Sequence, residues 1–435
     1  MKTLLSNCNV IDVKNGCEIL QKKDLYISDG KIQKITDHGT REIGFDVIDC
    51  TGKYVLPGLI NMHVHLFGTG KPSKALGGGK AQKRLVAFIN TKLGRFVLSK
   101  MVEKSAKQLL LSGVTTVRSV GDLCYSDILL KKKIQKNKGG ARGLRLLVSG
   151  PAVTAPGGHG DGTFAISAQE PEELKKIVRN IVDEGADLIK ICITGGVMDA
   201  KKRGEPGEVK MTAEQVKAVC DEAHRLNKKV AAHVQSKNGV RIAALNGVDT
   251  IEHGATFDEE SLAEIKNRSG AMILTYSPAL PNALLSHEVT KLNELCMYNS
   301  KVVMEQMTLG AAQLEKEGVK VGLGTDSSCP LCTQYNTWLE LVYYCAQTGA
   351  SSAQAIKKAT LTNAEILGVD KITGSVEEGK SADLLIVNDN PLSDLKTLKN
   401  PFVVIAQGRV LKNPRPKRIR PVEEQLEKLA EVMQK

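Results

Sequence analysis

Hydrophobic and polar positions change rhythm twice along this chain. Residues 1–54 alternate apolar and polar over short runs, LLSNCNVIDV, DLYISDGKIQKI and DVIDCTGKYVLPG, broken at Lys14-Asn15-Gly16 and at Asp29-Gly30. A period of two with Asx-Gly breaks predicts strands joined as hairpins. Residues 375–412 return to the same style in SVEEGKSADLLIVN and VVIAQGRVLKN. Between these ends lie eight runs that are apolar almost throughout: VLPGLINMHVHLF (55–67), VTTVRSV (114–120), RLLVSGPAV (145–153), DLIKICITGG (187–196), KVAAHVQS (229–236), DTIEHGA (249–255), AMILTYSPA (271–279) and VGLGTD (321–326). Apolar strands separated by helix-length segments predict a parallel sheet covered on both faces, and eight of them predict a (β/α)8 barrel. Strand-rich segments at opposite ends of a chain can pair only if the middle closes on itself.

The expected architecture is therefore α/β, a (β/α)8 barrel with a small β-sandwich domain built from both chain termini. Its boundaries fall at 1–56 with 370–412 for the composite β-domain, 57–369 for the barrel, and 413–435 for a basic C-terminal segment and helix. Residues 82–111 read as one long amphipathic helix, and the Gly/Lys-rich stretch 68–80 before it as a loop near the mouth of a site.

Composition narrows the function classes. The 435 residues, 42% hydrophobic and 25% charged, describe an ordinary globular protein with chain enough for a large core. Aromatic residues make up 4%, which argues against stacking platforms for nucleic acid. The net charge of +12 rests on dispersed lysines, with dense clusters at 131–133 and 415–420, and reads as a solvated basic surface. Ten cysteines at irregular spacing, including the pair Cys329 and Cys332, read as reduced core residues. No run approaches the roughly 18 apolar residues of a membrane span, and the N-terminus has no secretory pattern. A cytoplasmic location is expected, with a small-molecule substrate, no nucleic-acid or membrane partner, and assembly as a homo-oligomer.

The chemistry concentrates at the ends of the apolar runs. His63 and His65 stand at positions i and i+2, which share one face of a strand, so their imidazoles converge as two metal ligands would. Either histidine alone is equally well read as a satisfied core residue. His233 ends the fifth run, His253 the sixth and Asp326 the eighth, where a barrel carries its functional groups. Lys190 lies inside the fourth run among Leu, Ile and Cys. A buried unpaired ammonium costs several kcal/mol or loses its proton, so this lysine needs an inner salt bridge or a chemical role. One such role is addition of CO2 to the neutral amine, giving a carbamate whose two oxygens can each hold a cation.

Together VLPGLINMHVHL, the embedded Lys190, AAHVQS, TIEHG, GLGTDS and the tail GSVEEGKSADLLIVNDNP resemble the amidohydrolase superfamily. The likeness is to its imidazolonepropionase-like and prolidase-like metal-dependent hydrolases, over roughly residues 5–412. It implies a barrel enzyme with two divalent metal ions, usually zinc. His63, His65 and Asp326 would bind one ion, His233 and His253 the other, and carbamylated Lys190 would bridge them. Two cations would make a bridging hydroxide available near neutral pH, with Asp326 as general base. The reaction class is then hydrolysis of an amide C–N bond in a dipeptide, N-acyl amino acid or related amide. A cyclic amide, a lactone or an ester is the alternative, and a non-catalytic scaffold on the same fold is a third.

Five further residues are candidates for substrate contact. His159 in TAPGGHGDG follows the third run in a Gly-rich loop and is also a candidate catalytic group. Arg118, at the end of TTVRSV, could anchor a carboxylate bidentately, or pair with Asp122. Tyr276 ends the seventh run. Gln235 stands two residues after His233, where dipeptidase-like members often have an aromatic or His, and Ser236 stands where mononuclear members have an acid. Arg203 lies in the loop after Gly195–Asp199 and would favour acidic substrates.

Overall fold

The computed structural model describes residues 2–39, 42–72 and 79–433. The N-terminal alternation becomes β1 (Thr3–Asp12), β2 (Glu18–Ser28), β3 (Lys31–Asp37), β4 (Asp46–Asp49) and β5 (Tyr54–Pro57). The apolar runs become β6 (Leu59–Val64), β7 (Val114–Ser119), β8 (Arg145–Val148), β9 (Ala152–Thr154), β10 (Ala165–Ser167), β11 (Leu188–Cys192), β12 (Lys229–Val234), β13 (Thr250–His253), β14 (Ala271–Leu274) and β15 (Lys320–Leu323). The chain returns to alternation in β16 (Leu384–Val387), β17 (Val403–Ala406) and β18 (Arg409–Lys412).

Both termini share one eight-stranded sheet, ordered β18-β17-β16-β5-β1-β2-β3 with β4 beside β1. The seam is antiparallel pairing of β5 with β16, Leu56 facing Leu385. Between Leu5 and Cys8 the β1 register shifts, and Asn7 there has φ +57°. A bulge of this kind bends a strand. Leu5, Val10, Leu25, Val55, Leu384 and Ile405 form a core of their own, separate from the barrel's.

The barrel strands run parallel in two arcs, β6-β7-β8 and β9-β11-β12-β13-β14-β15, with β10 outside β9. The third expected strand is interrupted. Ser149, Gly150 (φ +66°) and Pro151 turn the chain, so that β8 pairs with β7 while β9 pairs with β11. Across the other seam, the amides of Thr325 and Asp326 donate to His63 O at 3.1 and 2.8 Å. Glycine is required at that seam, because a Cβ on Gly324 would lie 2.5 Å from His63 Cβ. Gly58, which passes the chain from sheet to barrel, has the same constraint: its Cβ would lie 2.2 Å from the Thr115 hydroxyl.

The helix expected over 82–111 is two helices, Gly79–Ile89 and Lys92–Leu111. Thr91 separates them by capping the second, its hydroxyl accepting from Gly94 N at 3.0 Å. The Gly/Lys stretch falls partly outside the described residues. Helix Arg420–Met433 buries Val422, Leu426, Leu429 and Ala430 in the main core. Among the described residues no helix is long and apolar enough to cross a membrane, and all ten cysteines are unbridged.

Candidate active site

At the carboxyl ends of the barrel strands five imidazoles and a phenyl ring close a circuit. Ring centroids are separated by 5.5 Å for His63–His65, 5.5 Å for His65–Phe164, 5.4 Å for Phe164–His159, 4.3 Å for His159–His233, 4.7 Å for His233–His253 and 4.9 Å for His253–His63. The hydrogen bonds fix which nitrogen each imidazole presents. His63 Nδ1 donates to Glu252 Oε2 at 2.7 Å and His65 Nδ1 to Gly121 O at 2.6 Å, so that each ring presents its Nε2. Those two atoms face Asp326 Oδ1 at 3.5 and 3.1 Å. Ligand atoms of His63, His65 and Asp326 all lie within 4.8 Å of one another. His253 Nδ1 pairs with the Thr275 hydroxyl at 2.6 Å, and His233 Nε2 donates to Gly195 O at 3.1 Å.

His253 and Asp326 both have left-handed backbones, φ +65° and +52°. Such conformations are uncommon away from glycine and recur at functional sites. At His253 the left-handed turn has a visible effect. Alternation would put Glu252 and His253 on opposite faces, yet both reach His63.

Lys190 is 2% exposed in β11, and its Nζ has no hydrogen-bond partner. Burial pushes its amine down from the usual lysine range, against the pull of Glu252. Burial and the nearby Lys190 push the His63 imidazole down to about 4. His233 and His253 are likewise held low, chiefly by burial. Burial works to raise the Asp326 carboxyl, and His63, His65 and His253 overcome it and hold the carboxylate ionised. The site thus presents imidazoles, a carboxylate and an amine without a hydrogen-bond partner, side chains whose donor atoms suit a divalent cation.

Beneath this cage lies a fully paired layer. Arg118 donates through Nη2 to both Glu252 oxygens at 2.7 and 2.8 Å, through Nε to Met62 O at 2.6 Å and through Nη1 to Thr250 Oγ1 at 2.9 Å. Arg118 therefore has neither the substrate-facing position nor the Asp122 partner expected of it, because Glu252 takes its fork. Asp122 instead accepts from the amides of Leu66 and Leu123. Tyr276 also departs from expectation. Its ring is buried in the main core and its hydroxyl pairs with Thr308 at 2.8 Å. Arg203 is exposed and stacks on Tyr298 with its guanidinium 4.0 Å from the ring centroid.

His159 and Gln235 do stand beside the cage. His159 stacks on His233 with 12° between the rings, and its Nδ1 is hydrogen-bonded to Asp199. Gln235 Oε1 accepts from Val197 N at 3.1 Å, tying the 195–199 turn to β12. Half-buried Phe67 stacks with Phe164 at 6.1 Å, making an apolar wall next to His65. Glu252, Asp199 and Phe164 were not singled out from the sequence. Glu252 and Asp199 lay inside segments named in the sequence, TIEHG and Gly195–Asp199, but their partners are distant in the chain.

A (β/α)8 barrel that gathers imidazoles, a carboxylate and an amine at the carboxyl ends of its strands is built as a catalytic barrel. The chain belongs to the amidohydrolase family, whose pattern matches residues 54–411. It is similar to a crystal structure of a candidate prolidase from Bifidobacterium longum, with TM-score 0.84, 36% identity and 98% of each chain covered. A crystal structure of a Xaa-Pro dipeptidase with methionine bound in its active site has TM-score 0.81 and 30% identity, covering 95% of this chain and 100% of that one. Ochratoxinase of Aspergillus niger is 27% identical over 394 residues, 83% of this chain and 76% of that protein.

Proposed function

We propose that this amidohydrolase cleaves an amide C–N bond in a dipeptide, an N-acyl amino acid or a related small amide. The observation that carries the reading is the buried, unpartnered Nζ of Lys190 close to His63, whose Nε2 converges with that of His65 on Asp326. An orphaned buried amine is costly, and a carbamate on it bound to cations removes that cost. His63, His65 and Asp326, whose ligand atoms lie within 4.8 Å of one another, would hold one divalent ion, and His233 and His253 would hold a second, with carbamylated Lys190 serving both and zinc suited to the donor set. When bound, such ions would polarise the scissile carbonyl and make water acidic enough to ionise near neutral pH.

The remaining roles belong to side chains. Asp326, ionised and at the inner rim, takes the proton of the attacking water and returns it to the leaving amine. His159, held by Asp199, offers a hydrogen bond to the carbonyl oxygen as charge develops there. Gln235 shapes the turn that carries Asp199, and Phe67 with Phe164 excludes water on the His65 side. The names of the similar proteins, a prolidase and a dipeptidase, support a peptide-like amide as substrate. A cytoplasmic homo-oligomer with no nucleic-acid or membrane partner belongs to the same proposal.

Metal content of the purified protein, measured with a panel of dipeptides, N-acyl amino acids, lactams and lactones, tests this reading. Two metal ions per chain and turnover of open-chain amides are expected. Turnover confined to lactams or lactones would replace the open-chain substrate with a cyclic one. Two metals with no turnover on any amide would sink the proposal.

A further inference from the structure

Far from the cage, where the terminal sheet meets the amino ends of the barrel strands, glycines let backbones touch and leave a cleft. The Asp29-Gly30 turn joining β2 to β3 sits against the Gln407-Gly408 turn joining β17 to β18. A Cβ on Gly408 would lie 2.5 Å from Gly30 Cα, and one on Gly143 would lie 2.8 Å from Ala406 O. The cleft beside them has a volume of about 810 Å³, within the range of small-molecule sites. Lys131, Arg142, Arg145 and Arg409 line it, and Asp29 is the one acidic residue in the lining.

Two of these cations are neutralised from outside the cleft, Lys131 by Asp187 at 2.5 Å and Arg145 by Asp383 at 3.1 Å. The other two are not. Among the described residues no carboxylate pairs with half-buried Arg142 or Arg409, and Arg409 donates to the backbone carbonyl of Arg142 at 3.2 Å. Arg142 Nε and Arg145 Nε are buried without a hydrogen-bond partner. Burial, then the charge of Arg142, pulls the Arg409 guanidinium down from its ordinary range. Adjacent guanidiniums without a counter-ion are costly to bury, and their planar forks match phosphate oxygens two at a time.

We infer that this cleft is a binding site for a phosphate-bearing small molecule, with Arg142 and Arg409 as the pair that grips the phosphate. Arg145 opens β8 at its amino end, whereas the cage lies at the carboxyl ends, so this ligand and the substrate do not meet. The site joins turns of the terminal sheet to the barrel, and its ligand holds the two together.

Isothermal titration calorimetry of the full chain with ADP, inorganic phosphate and, as a carboxylate probe, succinate tests the inference. One ADP per chain is expected, with affinity lowered at least about tenfold, the equivalent of ~1.4 kcal/mol, in Arg142→Ala/Arg409→Ala. Binding should be unchanged in His63→Ala/His65→Ala, which removes cage ligands, and in Lys237→Ala/Lys428→Ala, which removes the same charge from exposed positions elsewhere. ADP should also raise Tm in the wild type and leave it unmoved in the arginine variant. The single variant Arg409→Gln serves as a milder version should the double variant fail to fold. No ADP binding, binding that survives loss of both arginines, loss with the cage histidines, equal loss with the surface lysines, or tighter binding of succinate would each overturn the assignment.

Discussion

Two buried polar layers lie one above the other in this barrel, and they differ in how their atoms are satisfied. In the lower layer Arg118, Glu252 and Thr250 donate and accept among themselves, and Glu252 also takes the Nδ1 proton of His63. In the upper layer the Nε2 atoms of His63 and His65 converge on Asp326 and Lys190 Nζ has no hydrogen-bond partner. Burial tends to raise the Glu252 carboxyl, yet Arg118 and His63 hold it well below the usual range. The lower layer is a scaffold that orients, and the upper one is poised to bind. A polar group in a protein interior signals chemistry when it lacks partners, and support when it has them all.

Lys190→Ala breaks the comparison most directly. Activity should fall at least about a thousandfold, the equivalent of ~4 kcal/mol in the barrier, and metal content should drop to one ion or none. Retention of both by a folded variant would show that the unpaired amine is an ordinary buried group. Glu252→Gln attacks the lower layer instead. It leaves Arg118 without its carboxylate, so stability should fall by about 3–5 kcal/mol in denaturant titration. Metal affinity should weaken by about 10–100-fold, because the single oxygen that remains must serve both Arg118 and the His63 Nδ1 proton. A variant as stable as the wild type would remove the distinction between the layers.

Asp199→Asn sharpens the comparison at the rim. His159 and burial act in opposite directions on Asp199, and His159 prevails, keeping its carboxyl low. Losing that charge should lower kcat by at most about 10²-fold, with metal content unchanged. An unaltered kcat would leave His159 as packing against His233.

The smallest effect lies outside both layers. Arg225, assisted by Arg179, holds the Glu222 carboxyl down to about 2. Because the folded value lies below the ordinary one, this stabilisation is complete above about pH 4.5 and is lost as pH falls toward 2. Thermal melts of Glu222→Gln should therefore differ from wild type by under about 1 kcal/mol at pH 7 and converge with it near pH 2. A larger gap at pH 2 than at pH 7 would contradict the sign.

Much of the cage was legible because His233, His253 and Asp326 stood near the ends of apolar runs, and strand spacing alone points His63 and His65 to one place. The apolar barrel runs, the strand-rich character of both termini and the oddness of Lys190 follow from local pattern in the same way. Arg118 was misread because its partner Glu252 lies 134 residues away, and nothing near either residue announces the pairing. Tyr276 ends its run like a site residue, yet the turn after β14 sends it into the core beside Thr308. The break of the third strand at Gly150 and the division of the helix at Thr91 depend on a backbone angle and a cap.

The chain's own order of residues determined the kinds of element and which side chains stand near strand ends, because periodicity and burial act over a few neighbouring positions. Which polar groups end up paired was decided by tertiary structure alone. Closing the barrel brings β6, β7, β11, β12 and β13 around one interior, and left-handed turns at His253 and Asp326 aim side chains that alternation would send elsewhere. A hydrogen bond needs its partners within a few ångströms, and for residues more than a hundred positions apart only the fold sets that distance.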